Sequence, residues 1–192
     1  MAKKQSQSSQ VRIISGQWRG RKLPIHDAEG LRPTTDRIKE TVFNWLMADV
    51  RGARVLDCFA GSGSLSFEAL SRNAEFAQLL ELDKKAAKQL QQNLTTLKCD
   101  NAKVNQGDSL SLLKQAPDKP FDLVFLDPPF RKNLLEPCIE LLMQNQWLTN
   151  EALIYIELES DAAQLTVPES WRLLKQKVAG QVDSRLYFHQ NS

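Results

Sequence analysis

The sequence predicts an α/β fold of the Rossmann-like kind, in which a mostly parallel sheet carries helices on both faces. From residue 54 onward, short apolar segments alternate with amphipathic ones, which is the pattern of repeated strand-helix-strand units. A glycine-containing turn, Gly61-Ser62-Gly63, follows the first apolar segment. Acidic residues stand at four successive predicted strand ends: Asp57, Glu81, Asp108 and Asp127. Because parallel strands end at one edge of their sheet, we expect these acids to meet there.

Length and composition indicate one globular domain with a small extension. The chain has 192 residues, 42% of them hydrophobic and 25% charged. Residues 1–10 are polar and lack the apolar stretch of a secretory signal, so we expect a disordered tail. No apolar run approaches the roughly 20 residues that span a bilayer, and no membrane partner is expected. Three widely spaced cysteines match neither a metal site nor a disulfide framework. We therefore expect reduced thiols, a cytoplasmic protein and no bound metal.

The net charge is only +2, but it is unevenly distributed. The first 25 residues contain six basic side chains and no acidic one, so the remaining chain has a net charge of −4. Such an asymmetry indicates a basic arm that meets a polyanion. A solvated terminus that only aids solubility is the alternative.

The N-terminal segment predicts a β-hairpin followed by a helix. Strands over 11–14 and 22–25 flank a glycine-containing turn. The turn contains Trp18, Arg19 and Arg21, and an aromatic ring among cations suits stacking and phosphate contacts with nucleic acid. Trp18 could equally pack inward. After a linker over 31–33, Thr34-Thr35-Asp36 predicts the start of a helix that ends at Arg51-Gly52.

The rest of the chain predicts alternating strands and helices and a terminal hairpin. In order, these are strand 54–59, helix 65–71, strand 76–82, helix 84–97, strand 103–106, a weak helix 110–115, strand 121–126, helix 133–144, strand 153–157, and hairpin strands 171–178 and 184–189. Crossover connections make the sheet mostly parallel, and the hairpin adds antiparallel strands. The predicted division is a tail over 1–10, a hairpin-helix extension over 11–50 and a sheet domain over 51–192.

The turn after strand 54–59 indicates a cofactor site, because glycine lets a ligand approach the backbone closely. Gly-x-Gly alone is weak evidence, and the neighbouring acids sharpen it. Asp57 would repel a dinucleotide pyrophosphate but suits a cofactor with a positively charged amino acid end. Glu81, 24 residues later, can accept hydrogen bonds from both ribose hydroxyls, and Asp108 could reach an adenine amino group. This layout is the one expected for S-adenosylmethionine.

A second motif, Asp127-Pro128-Pro129-Phe130, follows the strongly apolar strand 121–126. The two prolines lack ladder N–H groups, so the chain must leave the sheet there. A carboxylate, fixed carbonyls and an aromatic ring then stand at the ligand-binding edge. They suit a flat substrate with an N–H₂ group, such as a nucleobase. A surface turn is the alternative.

These motifs resemble those of a known enzyme family. Residues 57–65 with Glu68-Ala69-Leu70 are similar to the first motif of class I methyltransferases, and Asp127-Pro128-Pro129-Phe130 to their motif for exocyclic amines. Residues 32–40 (RPTTDRIKE) resemble a signature of the RsmD family, the bacterial guanine-N2 methyltransferases of 16S ribosomal RNA. The resemblance covers roughly residues 11–189. Ser66 departs from it where many relatives carry glycine, and Phe130 departs where many carry tyrosine, so no phenol hydroxyl is available.

The resemblance implies a class I methyltransferase sheet, an activity and a set of site residues. The implied enzyme is a monomer that uses S-adenosylmethionine, without metal, on 16S rRNA, either free or in the small ribosomal subunit. Catalysis is expected at Asp127, Pro128, Pro129 and Phe130. Cofactor binding is expected at Asp57, Phe59, Ala60, Gly61, Gly63, Glu81, Leu82, Asp108 and Ser109. RNA binding is expected at Arg12, Trp18, Arg19, Arg21, Lys22, Arg32, Thr35, Arg37, Arg131 and Lys132.

Other functions stay open at this point. DNA adenine-N6 methyltransferases share the Asp-Pro-Pro-aromatic motif but usually need additional target-recognition sequence. Protein glutamine-N5 methyltransferases usually have Asn at the position of Asp127. A non-catalytic RNA-binding protein with a degenerate methyltransferase fold is disfavoured by the intact acids and glycines. A nicotinamide dehydrogenase is disfavoured by Asp57 and the missing third glycine.

Overall fold

The structure, a computed structural model, describes residues 9–26, 34–162 and 164–190. Two short strands and a helix come first: β1 (Gln10–Arg12), β2 (Lys22–Pro24) and α1 (Asp36–Trp45). Alternating elements follow: β3 (Arg54–Asp57), α2 (Ser64–Ser71), β4 (Phe76–Glu81), α3 (Lys84–Leu97), β5 (Ala102–Gln106), α4 (Ser109–Leu112), β6 (Phe121–Leu126), α5 (Leu135–Gln144) and β7 (Leu148–Glu159). Strands β8 (Trp171–Ala179) and β9 (Val182–His189) complete this part of the chain.

The large sheet has seven strands in the order β5-β4-β3-β6-β7-β9-β8. Strands β3 to β7 pair in parallel, whereas β9 pairs antiparallel with both β7 and β8. The mostly parallel sheet with a C-terminal antiparallel hairpin is thus confirmed. The strand order reverses between β3 and β6, and ligands of open α/β sheets bind at such a switch point.

Helices cover both faces of the sheet because neighbouring strand residues point to opposite sides. Val55 and Phe125 belong to one apolar cluster, which also contains the buried faces of α1, α2 and α3. Leu56 and Val124 belong to a second cluster, together with the buried face of α5. The two-faced, three-layer arrangement predicted from alternation is therefore confirmed.

The N-terminal hairpin is docked on α2 and shares its core. Val11, Ile13 and Leu23 are buried in the same cluster as α2 and α3. The Glu68 carboxylate accepts hydrogen bonds from the backbone N–H groups of Ile14 (2.9 Å) and Ser15 (3.0 Å). The segment 11–50 is therefore held to the sheet domain by packing and by a buried acid.

Gly16 lets the hairpin turn approach α2 closely. Its φ is +80°, and a Cβ there would lie 1.9 Å from the carbonyl oxygen of Ser71. The next residue, Gln17, donates its N–H to that same oxygen at 2.8 Å. No side chain larger than hydrogen fits at this contact.

Several boundaries differ from the prediction for local reasons. Helix α1 ends at Trp45 and not at Arg51-Gly52, because the chain turns there and Asp49 and Val50 donate to the carbonyl of Leu46. Strand β7 is longer than 153–157, since β9 pairs along it to Glu159. Gln10, expected in the tail, is the first residue of β1. Residues 1–8 of the expected tail and the linker 31–33 lie outside the described residues.

No helix in the described part of the chain is both long and apolar enough to cross a membrane.

Candidate active site

A cavity of about 920 Å³ opens at the carboxyl ends of β3, β4, β6 and β7. Eleven of the residues expected to form the site line it: Phe59, Ala60, Gly61, Glu81, Leu82, Ser109, Asp127, Pro128, Pro129, Phe130 and Lys132. The structure therefore brings both motifs to a single cavity, as the sequence predicted.

The loop between β3 and α2 depends on its glycines. Gly61 and Gly63 have φ values of 52° and 73°, in the left-handed region. A Cβ on Gly63 would lie 2.5 Å from a ring carbon of Phe67 and 2.6 Å from a methyl of Leu90. Any other residue at position 63 would be strained and crowded at once. Gly63 thus shapes the loop from beneath, while Gly61 lines the cavity.

Asp57 lies beneath this loop and is almost completely buried, with 3% of its surface exposed. Burial raises its pKa to about 6, although hydrogen bonds from Ser66 and from the Phe59 backbone oppose the rise. The hydroxyl of Ser66 donates to the Asp57 carboxylate at 2.6 Å. Asp57 therefore connects the strand, the loop and α2. Its direct contact with the cofactor stays a prediction.

Glu81 joins the end of β4 to the glycine loop. One carboxylate oxygen accepts the N–H of Gly61 at 2.7 Å, and the other accepts the N–H of Asp83 at 2.8 Å. Burial is the largest influence on its pKa, which is raised above the ordinary value. Leu82 follows with 65% of its surface exposed and offers an apolar wall to a flat ligand.

Asp108 and Ser109 are adjacent but have different environments. The Asp108 side chain is exposed and caps α4 by accepting the N–H of Ser111 at 2.8 Å. Ser109 is buried, lines the cavity and donates its hydroxyl to the carbonyl of Cys58. The expected contact between Asp108 and an adenine amino group stays a prediction.

The chain leaves the sheet after Leu126, as the two prolines require. Asp127 and Phe130 are half-buried, Pro128 is buried and Pro129 is exposed. All four residues line the cavity. A carboxylate and an aromatic ring are thus offered together to a ligand.

The two residues after this motif both border a second cleft of about 500 Å³. Lys132 also lines the main cavity. Arg131 has a φ of 61° and donates its backbone N–H to Glu159 at 2.6 Å.

Sequence reasoning missed part of the cavity wall. Thr34 precedes α1, Ile38 lies in its first turn, and Glu157 comes from β7. Glu157 is buried, and it accepts the hydroxyl of Tyr155 at 2.9 Å. An acid at the end of a predicted strand was the available signal for Glu157. No sequence pattern indicated that α1 would line the cavity, because its position depends on how it packs against the sheet.

The basic residues of the hairpin are exposed, and one of them, Arg12, also forms an ion pair. Arg19, Arg21 and Lys22 are exposed. The guanidinium of Arg12 donates to Asp36 at 2.9 Å, so it also fastens the hairpin to α1. Trp18 is half-buried against the core, in line with the inward alternative.

Two other expected RNA contacts lie on α1. Thr35 caps the helix by accepting the N–H of Ile38 at 3.3 Å, and Arg37 is exposed. Arg32 lies outside the described residues. The roles of these residues in RNA binding stay predictions.

The strand order and the ligand edge together define a class I methyltransferase. The comparisons with known proteins agree. A profile of the family described as "Conserved hypothetical protein 95" matches residues 11–188. "Ribosomal RNA small subunit methyltransferase D" of Escherichia coli strain K12 is 56% identical over 95% of this chain and 91% of that protein. The Haemophilus influenzae protein of that name is 58% identical over 93% of each. The chain belongs to this family, the RsmD family.

A solved structure shows the same architecture. The structure of yhhF from Escherichia coli superposes with a TM-score of 0.89 at 54% identity, and the match covers 95% of this chain and 99% of that one. The fold predicted from strand and helix alternation therefore agrees with a structure of high sequence identity.

Class I methyltransferases take their methyl group from S-adenosylmethionine, and the cavity fits this molecule. Its lining includes four acids: Glu81, Asp83, Asp127 and Glu157. An acidic wall suits a ligand with a sulfonium and an amino group. Phe59, Leu80 and Leu82 add apolar surface to the lining, which suits a ligand that also carries a flat ring.

Proposed function

We propose that this protein transfers a methyl group from S-adenosylmethionine to the exocyclic N2 amine of a guanine in 16S rRNA. The observation that carries the proposal is the position of Asp127-Pro128-Pro129-Phe130 in the same cavity as the Gly61 loop. The names of the relatives support rRNA of the small subunit as substrate.

The cofactor site consists of the residues at the ends of β3, β4 and β5. Glu81 holds the ribose hydroxyls, and Leu82 with Phe59 encloses the adenine. The backbone at Ala60 and Gly61 leaves room for the amino acid end, while Gly63 and Asp57 hold the loop in shape. Asp108 and Ser109 complete the adenine side. When bound, S-adenosylmethionine supplies a methyl group on a positively charged sulfur.

Asp127 orients the guanine N2 amine, which is a weak nucleophile. The amine of a base is poorly nucleophilic because its lone pair is delocalised into the ring. The Asp127 carboxylate and the Pro128 carbonyl accept hydrogen bonds from the N–H₂ group and hold its lone pair toward the methyl donor. Orientation of this kind contributes several kcal/mol, on the order of other proximity effects. Removal of the proton by Asp127 is secondary.

Phe130 stacks on the target base. An enzyme that acts on a base atom must take that base out of its stack, and an aromatic ring in the cavity replaces part of the lost stacking. Because position 130 carries no hydroxyl, stacking is its whole contribution.

Ten residues hold the RNA. The basic ones are Arg12, Arg19, Arg21, Lys22, Arg32, Arg37, Arg131 and Lys132, and Trp18 and Thr35 complete the set. The enzyme acts as a monomer in the cytoplasm, on free 16S rRNA or on the assembled small subunit.

Methyl-group labelling tests the proposal. The protein is incubated with radiolabelled S-adenosylmethionine and, in separate reactions, with naked 16S rRNA, small subunits, DNA or ribosomal protein. We expect label in RNA, recovered as N2-methylguanosine after digestion to nucleosides. Label in adenine of DNA or in glutamine of protein would overturn the assignment, and absence of label everywhere would indicate a non-catalytic RNA-binding protein.

A further inference from the structure

A second carboxylate stands beside Asp127 at the substrate end of the cavity. Strands β6 and β7 are parallel neighbours, with Leu126 opposite Ile156. The next residue in each case is an acid: Asp127 directly follows the end of β6, and Glu157 continues β7. The register therefore places Asp127 and Glu157 side by side, on strands about 4.8 Å apart. Both acids line the cavity. Two acceptors are therefore presented to one ligand.

Glu157 is held in place by a hydrogen-bonded chain. It is only 5% exposed, and a buried carboxylate needs hydrogen bonds to offset its lost hydration. The hydroxyl of Tyr155 donates to Oε1 at 2.9 Å, and the Ser184 hydroxyl lies 3.1 Å from the Tyr155 oxygen. A carboxylate has a second oxygen and several lone pairs, so it can accept further hydrogen bonds.

The Tyr155 ring that positions Glu157 is itself packed on two sides. It makes edge contacts with Trp45 of α1 and Phe125 of β6, with ring centroids 6.5 Å and 6.2 Å away. Burial is the main cause that raises the pKa of Tyr155, so its hydroxyl keeps its proton and stays a donor. Glu157 is thus fixed at the cavity wall from behind.

Guanine has the hydrogen-bonding edge that two adjacent carboxylates match. Its ring N1–H lies next to the N2 amine, so it offers neighbouring donors. Adenine and cytosine place an unprotonated ring nitrogen beside their amines. We propose that Glu157 accepts the N1–H of the target guanine while Asp127 accepts from the N2 amine, which makes Glu157 the residue that selects guanine. This inference rests on the proposed function and deepens it.

Adenine and cytosine are disfavoured because each would place a hydrogen-bond acceptor against the acceptor Glu157. A ring nitrogen with a lone pair would face the Glu157 carboxylate at the place where guanine presents its N1–H, so two acceptors would meet with no hydrogen between them. Sites built to bind a substrate N–H discriminate strongly against analogues without it, for this reason.

The test uses 2-aminopurine, which keeps the 2-amino group of guanine but lacks the N1–H and the O6 oxygen; the variants below separate the two losses, because only the N1–H is expected to face Glu157. The methylated position is first mapped in labelled 16S rRNA. Small subunits are then reconstituted with rRNA that carries guanine or 2-aminopurine at that position, and methyl transfer to each is measured. The wild-type protein is expected to prefer guanine by roughly tenfold to a hundredfold, the size of one unsatisfied buried hydrogen bond.

Variants then assign the preference to Glu157. In Glu157→Gln the amide can donate to the ring nitrogen of 2-aminopurine, so the preference is expected to fall by about tenfold or more. Tyr155→Phe removes only the hydroxyl that holds Glu157 and is expected to lower the preference less. Glu151→Gln is the control, because Glu151 is exposed near the opposite end of β7.

The outcomes separate this inference from the function beneath it. A wild-type protein that does not methylate guanine N2 overturns the proposed function. A wild-type protein that methylates guanine N2 and 2-aminopurine equally well overturns the role of Glu157 and leaves that function standing. An unchanged preference for guanine in Glu157→Gln also overturns the role of Glu157 and leaves the proposed function standing. If Glu157→Gln does not fold, Tyr155→Phe decides the question: a reduced preference supports the role of Glu157, and an unchanged preference overturns it.

Discussion

The hydroxyl of Ser66 donates a 2.6 Å hydrogen bond to the buried carboxylate of Asp57. This bond joins α2 to the end of β3 directly beneath the cofactor loop. A glycine at position 66 could not make it. The residue that departs from the family pattern therefore supplies one of the hydrogen bonds that keep Asp57 buried.

Replacing Ser66 by alanine is expected to destabilise the fold by about 1–3 kcal/mol, because a buried carboxylate loses a donor. Chemical denaturation measures this loss. Ser64→Ala on the same helix is the matched control, since the Ser64 hydroxyl is buried without a hydrogen-bond partner among the described residues. Equal effects of the two substitutions would show that the Ser66 hydrogen bond adds nothing.

Asp57 should make folding stability depend on pH. Its pKa is raised from 3.8 to about 6 by burial, so the folded state favours the protonated form. Its contribution is fully present below pH 3.8 and is lost as pH rises through about 6. The difference in unfolding free energy between wild type and Asp57→Asn is expected to change by about 3 kcal/mol across this window. Carboxylates that do not interact with Asp57 cancel in that difference. A difference that stays constant from pH 4 to 7 would refute the shift.

The Gly63→Ala variant is expected to lose both stability and affinity for S-adenosylmethionine. Strain at positive φ costs about 1–2 kcal/mol, and the clash with Phe67 and Leu90 adds about 1–3 kcal/mol. Gly180→Ala is the control, because Gly180 also has a positive φ, +61°, but open space around its Cβ position. Chemical denaturation measures stability, and calorimetric titration measures the affinity for S-adenosylmethionine. Only Gly63→Ala should show the additional loss caused by the clash. Similar losses in both would mean that crowding at Gly63 is unimportant.

Asp127→Asn should abolish most methyl transfer while leaving the affinity for S-adenosylmethionine near that of wild type. The amide keeps the size of the side chain but replaces one acceptor oxygen by a donor. A rate loss of roughly a hundredfold or more is expected, measured by label transfer under single-turnover conditions. The exposed Asp118→Asn serves as control. Retention of most of the rate would be incompatible with an orienting role for Asp127.

Neutralising Arg19, Arg21 and Lys22 to glutamine should weaken RNA binding and reduce its dependence on salt. Each lost phosphate contact lowers the slope of log affinity against log salt by about 0.7–0.9. The triple variant should therefore lose roughly 2–3 units of slope, measured by binding titrations at several salt concentrations.

The control for the hairpin variant has the same change of charge elsewhere. Three exposed lysines of the sheet domain are replaced by glutamine, and these are Lys103, Lys114 and Lys119. The RNA slope should hardly change in this control. If both triple variants behave alike, the hairpin acts only through net charge.

Much of the fold was predictable because the local patterns are strong. Helix α3 and strand β6 begin and end at the predicted residues. For α3, Asp83 caps the first turn through Lys85 and Ala86. For β6, the pair Pro128-Pro129 stops the strand. The predicted end of α1 was wrong. The helix stops at Trp45 because of how the chain packs there, and no helix-breaking residue marks that position in the sequence.

By itself, the sequence determined the parallel sheet, the glycine loop, the motif at Asp127 and their meeting at one edge. These follow from periodicity, backbone sterics and the direction of parallel strands, all of which act locally or by simple topology. Only the tertiary structure decided that Asp57 lies beneath the loop, that α1 closes one wall and that Glu157 stands beside Asp127. Those relationships depend on strand register and side-chain packing between segments far apart in the chain, which no local pattern specifies.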